Sequence, residues 1–386
     1  MNIKRILPLV IAVLAMQVSC VNDADKNTTE ETEIGIELPD KENLVNLSEI
    51  VDSVSFVPLA TNDSCRIGSV DKLIVMDKYF IVVDKSLATS VFVFDKSGRF
   101  LNKIGDRGHS NKEYLRLEDV AVNGNKVYIL DSKGKKVICY DISGKYIENY
   151  PLEFIAYYFN YVSDGLFAFS CEYTKNSELA VDNKLPNFLL YDFAEKKVIN
   201  ADLYFDSSTS NEAFPVSLNN LNPYLYNTFS DRIYKVTAHG LSPFIHIAYP
   251  QEYAEQIKMY SEKASNKELT INDLEKHMEK MPQLISFFNC EDVYFMFIAN
   301  GGKLYYNLYY PQTHKLLQAM GKGCIPIVDD LYNGLIIMPQ TAFKGNLYYA
   351  ENIKNISGNK RFSNATGDEN PVIVELFMKK TRPNEK

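Results

Sequence analysis

Residues 80–101 read FIVVDKSLATSVFVFDKSGRFL, and residues 127–147 read VYILDSKGKKVICYDISGKYI. Both follow one plan: an apolar strand, Asp, a short polar turn, a second apolar strand, an aromatic-Asp pair, then x-Ser-Gly-basic-aromatic. Asp84 maps onto Asp131, Asp95 onto Asp141 and Gly98 onto Gly144, at spacings of 46 or 47 residues. A weaker third copy, FLLYDFAEKKVI, occupies residues 188–199. Asp ends an apolar strand because its side chain bonds the backbone of the turn that follows. The Ser-Gly pair supplies a residue free to take positive φ, so the chain reverses into another strand. The local product is a β-meander.

A repeat of about 46 residues with four such strands has the size of a propeller blade. The expected fold is therefore all-β, a six-bladed β-propeller spanning residues 45–380. An early strand, Val51 to Leu59, is expected to pair with the last blade near Val372 to Met378, leaving no sheet edge open. One stretch departs from the β pattern. Over residues 251–281, Tyr253, Ile257 and Tyr260, then Ile271, Leu274, Met278 and Met281, recur at helical spacing. This predicts a short inserted helical segment of two amphipathic helices. They either pack on their own propeller or form a docking site for a partner.

Composition narrows the class. The chain has 386 residues, 46% hydrophobic and 23% charged, with 26 Tyr, 22 Phe and no Trp. These are values of a folded protein rich in strands. The net charge of −8 opposes phosphate backbones, so no nucleic-acid partner is expected. Residues 1–19 hold Lys4 and Arg5 ahead of an apolar run too short for a permanent span, which reads as a signal peptide. Cys20 follows Ser19 as the expected lipidation site, although Gln17 stands where Leu is usual. The alternative is an ordinary secretory signal, with Cys20 a plain thiol. Removing residues 1–19 takes away two cations and no anions, lowering the net charge to −10. Residues 20–44 read as a flexible tether. The expected location is the cell envelope, in the outer membrane, with membrane attachment through the N-terminal lipid alone.

The two repeats resemble the NHL-type class. More closely, the chain is similar to six-bladed β-propeller lipoproteins of Bacteroides-type bacteria. The resemblance rests on VNLSEIVDSVSFVPLATND (45–63), IGSVDKLIV (67–75), IGDRGHSNKEY (104–114) and FSDRIYKV (229–236), then DDLYNGLIIMP (329–339) and NPVIVELFMKK (370–380). The connection at 104–114 departs from the family pattern G-x-x-G-x-G-P-G-E-Y, for its closing glycines are missing.

Motifs for chemistry are absent. No G-x-S-x-G elbow, H-E-x-x-H, Walker loop or Rossmann loop occurs, and the five His are scattered. Neither a metal site nor a cofactor is expected, and catalytic residues are unknown. Cys65, Cys139, Cys171, Cys290 and Cys324 show no ligand spacing and read as structural thiols. The recurring Asp84, Asp95, Asp131 and Asp141 read as turn chemistry, against a ring of carboxylates for a cation. The aromatic groups Tyr157, Tyr158, Phe159 and Tyr161, and Tyr305, Tyr306, Tyr309 and Tyr310, read as core, against a stacking platform for sugars. On the 104–114 connection, Arg107 and His109 are the candidate ligand-binding residues, since Arg offers a planar fork to carboxylate or phosphate. The bland alternative is a solvated loop with Tyr114 tucked between blades.

Two functions follow. The first is a non-catalytic binding or scaffold protein at the envelope, with an unidentified protein or glycan as partner. The second is a glycan-active hydrolase or lyase using acids near the propeller channel. Missing catalytic motifs favour binding over an enzyme.

Overall fold

The computed structural model describes residues 31–206, 219–228, 230–265, 280–332, 334–356, 362 and 367–380. Six four-stranded meanders are arranged as a β-propeller. Blade 1 covers Lys72–Ile104, blade 2 Asp119–Pro151, blade 3 Tyr158–Asp202, blade 4 Asn219–Ala248 and blade 5 Gln283–Lys322. Blade 6 takes three strands from residues 341–378 and its outermost strand, Val51–Pro58, from near the other end of the chain. First strands touch between blades 2 and 3, 3 and 4, and 5 and 6, and blade 6 returns to blade 1.

Ring closure falls where the sequence places it. Val51–Pro58 runs antiparallel to Val372–Met378, with Phe56 opposite Val374. Val374 is fully buried and Phe56 is nearly so, because each strand lays one face on the neighbouring blade.

The repeated Ser-Gly turn has a packing reason as well as a conformational one. Gly98 and Gly144 take φ of +84° and +86°. Each turn also presses against the outermost strand of the preceding blade: Gly98 lies on Pro58, and Gly144 on Lys103. Positive φ and lack of room both select glycine. The repeat therefore encodes the joint between blades.

Helices are minor. α1 (Leu47–Ile50) precedes the closing strand, and α2 (Gln251–Ser265) follows blade 4. α2 packs on its own propeller: Ile257 is buried with Tyr249, Ile247 and Leu284 between blades 4 and 5, while Tyr253 lies half-buried against them. The second expected helix lies outside the described residues, apart from buried Met281.

The tether is shorter than the sequence suggests. Thr32–Gly35 forms a fifth strand on blade 4, parallel to Gly240–Ala248. The chain then crosses the outer edge of blade 5, where Asn43 pairs with Met320 and the Tyr305 hydroxyl donates to the Pro39 carbonyl at 3.1 Å. Val45–Asn46 pairs with Ile327–Val328 before the closing strand begins. Residues 32–46 are thus a strap over blades 4 and 5 that ends on the connection to blade 6. Its polar sequence hides this, because the buried anchors Ile34 and Ile36 are few and backbone bonds do the rest.

Candidate functional site

The recurring aspartates are turn and joint chemistry. Asp84 is fully buried; one oxygen accepts from the amides of Gly68 and Ser69, the other from Leu87 and Ala88, at 2.7–2.9 Å. Asp131 repeats the pattern with the amides of Leu115, Arg116 and Gly134. Each carboxylate ties the strand entering its blade to the turn within it. Asp95 and Asp141 each accept from a Ser hydroxyl two residues on, at 2.6 Å, and from backbone amides of the same turn. Among the described residues, no group of three His, Cys, Asp or Glu side chains could hold a metal ion.

Where the first strands begin, one mouth of the channel is a polar lattice. Lys72 Nζ donates to Asp119 Oδ1 and to the Val120 carbonyl, both at 2.8 Å, joining blades 1 and 2. Asp119 Oδ2 accepts the Phe159 amide at 3.1 Å, joining blades 2 and 3. Glu118 accepts from Ser132 Oγ at 2.6 Å and pairs with Arg116 at 2.8 Å. Lys85 Nζ sits 5.5 Å above the Tyr158 ring. These carboxylates already hold partners from their own chain.

Within the channel lies a cavity of about 360 Å³. Its lining includes Lys72 of blade 1, Tyr224 of blade 4, Phe287, Asn289 and Glu291 of blade 5, and Thr341 of blade 6. Asn289 uses both ends of its amide: Nδ2 donates to the Tyr224 hydroxyl at 2.7 Å, and Oδ1 accepts the Glu291 amide at 2.9 Å. Tyr224 therefore keeps its own proton to donate, and burial pushes its pKa up, holding it as a neutral phenol. Glu291 is exposed at the rim, on a hairpin residue with φ of +59°. Aromatic walls with a few convergent polar groups are the make-up of a small-molecule site.

Sequence reasoning pointed elsewhere. Arg107 and His109 are both exposed on the connection from blade 1 to blade 2, and neither lines the cavity. Tyr114 on that connection is fully buried, its hydroxyl donating to the Thr89 carbonyl at 2.7 Å, and Tyr140 bonds the Lys112 carbonyl. Phe159, Tyr305, Tyr306, Tyr309 and Tyr310 are buried core, and Tyr157, Tyr158 and Tyr161 are half-buried. Cys65, Cys139, Cys171 and Cys290 are buried and Cys324 is exposed; burial pushes the Cys139 thiol up to about 11. His246 stands 3.4 Å from Glu33 of the strap and 3.6 Å from Asp231, while His109, His239 and His314 are exposed on separate turns. Cys20 and His277 lie outside the described residues. The cavity residues come from four blades at unrelated spacings, so no motif announces them.

Comparison with known proteins agrees on fold. A protein of Bacteroides fragilis described as exported is 17% identical with a TM-score of 0.66, over 90% of this chain and 100% of that one. A member of the DUF4221 family from Bacteroides vulgatus is 10% identical with a TM-score of 0.48, over 88% and 99%. No curated protein matches the sequence. A family model described as a domain of unknown function, DUF4934, matches residues 32–376, from the strap to the third strand of blade 6. The chain belongs to the DUF4934 family.

Proposed function

We propose that the protein is a non-catalytic binding protein of the cell envelope, anchored by lipid at Cys20, that holds its ligand in the channel cavity. One observation carries the choice of binding over glycan cleavage. Glu118 and Asp119, the acids at the channel mouth, are bonded to Arg116, Ser132, Lys72 and the Phe159 amide. A glycosidase needs a carboxyl pair facing the scissile bond with protons to exchange. The cavity instead offers aromatic walls, an amide, a phenol and the single carboxylate of Glu291, which hold and orient a ligand but make no carboxyl pair. Kinship to exported propeller lipoproteins with NHL-like repeats belongs to the same proposal; its support is the N-terminal pattern ending at Cys20 and the exported protein of similar fold. Arg107 and His109 are proposed as a separate contact at the edge of the disc for a carboxylate- or phosphate-bearing partner.

The test is to recover ligand from envelope fractions with the tagged protein, with glycan-array screening beside it. Binding should be lost in Ala342→Phe, which fills the cavity, and in Asn289→Ala, each with an unchanged melting profile. Unaltered capture by both variants would reject the cavity. Labelled fatty acid should enter the wild type and not Cys20→Ala; equal incorporation would reject the anchor.

A further inference from the structure

The cavity is continued by a row of aromatic rings. Tyr224, on its wall, is 4.9 Å from Phe244; Phe244 is 5.5 Å from Tyr294; Tyr294 is 6.1 Å from Tyr309 (centroid distances). Buried Phe287 supports the first three, at 5.1, 6.2 and 6.0 Å. Tyr224, Phe244 and Tyr294 are half-buried, so each packs against Phe287 and keeps part of its surface in solvent. Core aromatics elsewhere in the blades, such as Phe167 and Phe169, are closed off completely. The row leads from the channel along the seam between blades 4 and 5.

The geometry points to an elongated binding site for a neutral oligosaccharide, with its terminal unit in the cavity and the following units on Phe244 and Tyr294. This rests on the cavity being the binding site. A pyranose has apolar C–H faces and hydroxyl edges. Aromatic faces suit the former, and Tyr224, Asn289 and Glu291 suit the latter. The steps between rings are comparable with the length of one sugar unit. Charge selects the neutral class: the chain carries −8 overall, Glu291 stands at the rim, and Lys72 is committed to Asp119. An anionic chain would meet repulsion there, and a purely apolar ligand would offer no acceptor to the Tyr224 hydroxyl.

With no Trp, intrinsic emission comes from the 26 Tyr, Tyr224 and Tyr294 among them, and calorimetry reads binding directly. The probes are neutral di- and hexasaccharides of glucose, mannose and xylose, titrated by calorimetry and fluorescence. At least one hexasaccharide should bind tenfold or more tightly than its disaccharide. Phe244→Leu and Tyr294→Leu keep an apolar side chain and the fold, checked by melting, yet should remove that gain; Tyr294→Leu should leave disaccharide binding intact, because a disaccharide ends on Phe244. Asn289→Ala should weaken both lengths. Equal affinity for the two lengths, or leucine variants that keep the gain, would overturn the extended site and leave the cavity standing. If no neutral saccharide binds, or if an oligoproline or uronate chain binds with the same variant losses, the neutral-saccharide assignment is wrong. The cavity is then judged separately by Ala342→Phe against envelope ligand.

Discussion

Gly98 of blade 1 rests on the carbonyl of Pro58, the last residue of the strand that closes blade 6: a Cβ placed on Gly98 would lie 2.1 Å from that oxygen. The same glycine's carbonyl accepts the Ala60 amide at 2.8 Å. The turn is therefore both a chain reversal and the seam at which the ring meets itself.

Gly124, with φ of +55° and nothing within 4 Å of a Cβ, separates these two demands. Gly124→Ala carries the handedness cost alone, about 1–2 kcal/mol. Gly98→Ala must also displace backbone and should cost roughly 2 kcal/mol more. Urea denaturation of the two variants measures the difference. Equal losses would mean that the seam yields freely.

Acid should loosen the turns before the core. Burial of Asp71 favours its neutral form, but hydrogen bonds from Ser86 and Ser69 and from the backbone outweigh it, and its pKa falls below the usual carboxylate value. Asp95 is lowered chiefly by the Ser97 hydroxyl, and Asp141 likewise by Ser143. A group with a depressed folded pKa binds its proton less readily folded than unfolded. Its contribution is thus held above the unfolded value of about 3.9 and is lost as pH falls through the folded value. Melting temperature should drop on acidification below about pH 4, and Asp71→Asn should flatten that slope. A variant as acid-sensitive as the wild type removes Asp71 from the cause.

The strap hangs on Gln318. Its Nε2 donates at 2.7 Å both to the Glu37 carbonyl and to Asn307 Oδ1, and Asn307 is fully buried. Gln318→Ala releases the strap and leaves a buried acceptor unmet, a loss of about 1–3 kcal/mol. Limited proteolysis should then cut between residues 36 and 44 faster than in the wild type. Unchanged cleavage there would show that backbone pairing alone holds the strap.

Arg107→Ala with His109→Ala should change stability by no more than about 0.5 kcal/mol, because both side chains are exposed on a connection held by Tyr114. A ligand bearing carboxylate or phosphate should bind the double variant more weakly. Full retention of its affinity would end the proposed role of the pair.

What the sequence reveals follows from how far apart the interacting residues are. Asp84, Asp95 and Gly98 act within their own turns or on a neighbouring blade, so their chemistry repeats with the blade and is legible. The closing strand is legible because Val51–Pro58 has no partner among the residues next to it in sequence. The strap escapes because its pairing with Gly240–Ala248 and Met320 is made by backbone, which leaves little mark on side-chain pattern. The cavity escapes for a different reason. Tyr224, Asn289 and Thr341 meet only because the ring brings the first strands and hairpins of separate blades together. Tyr309 and Tyr310 read as core in sequence because their rings alternate along a strand, and that strand is third in its sheet and covered on both faces.

Pairing of Phe56 with Val374 also sets an order of events in time. Residues 32–58 are made before every blade they join and reach their places after those blades exist. The strap must wait for blades 4 and 5, and the closing strand for the end of blade 6. Until then Phe56 has nothing to cover it, and the growing chain is an arc with a raw edge at each end. Closing so long a loop is slow, since its entropy is lost before the contacts form. A chain cut short anywhere before residue 372 never completes the circle.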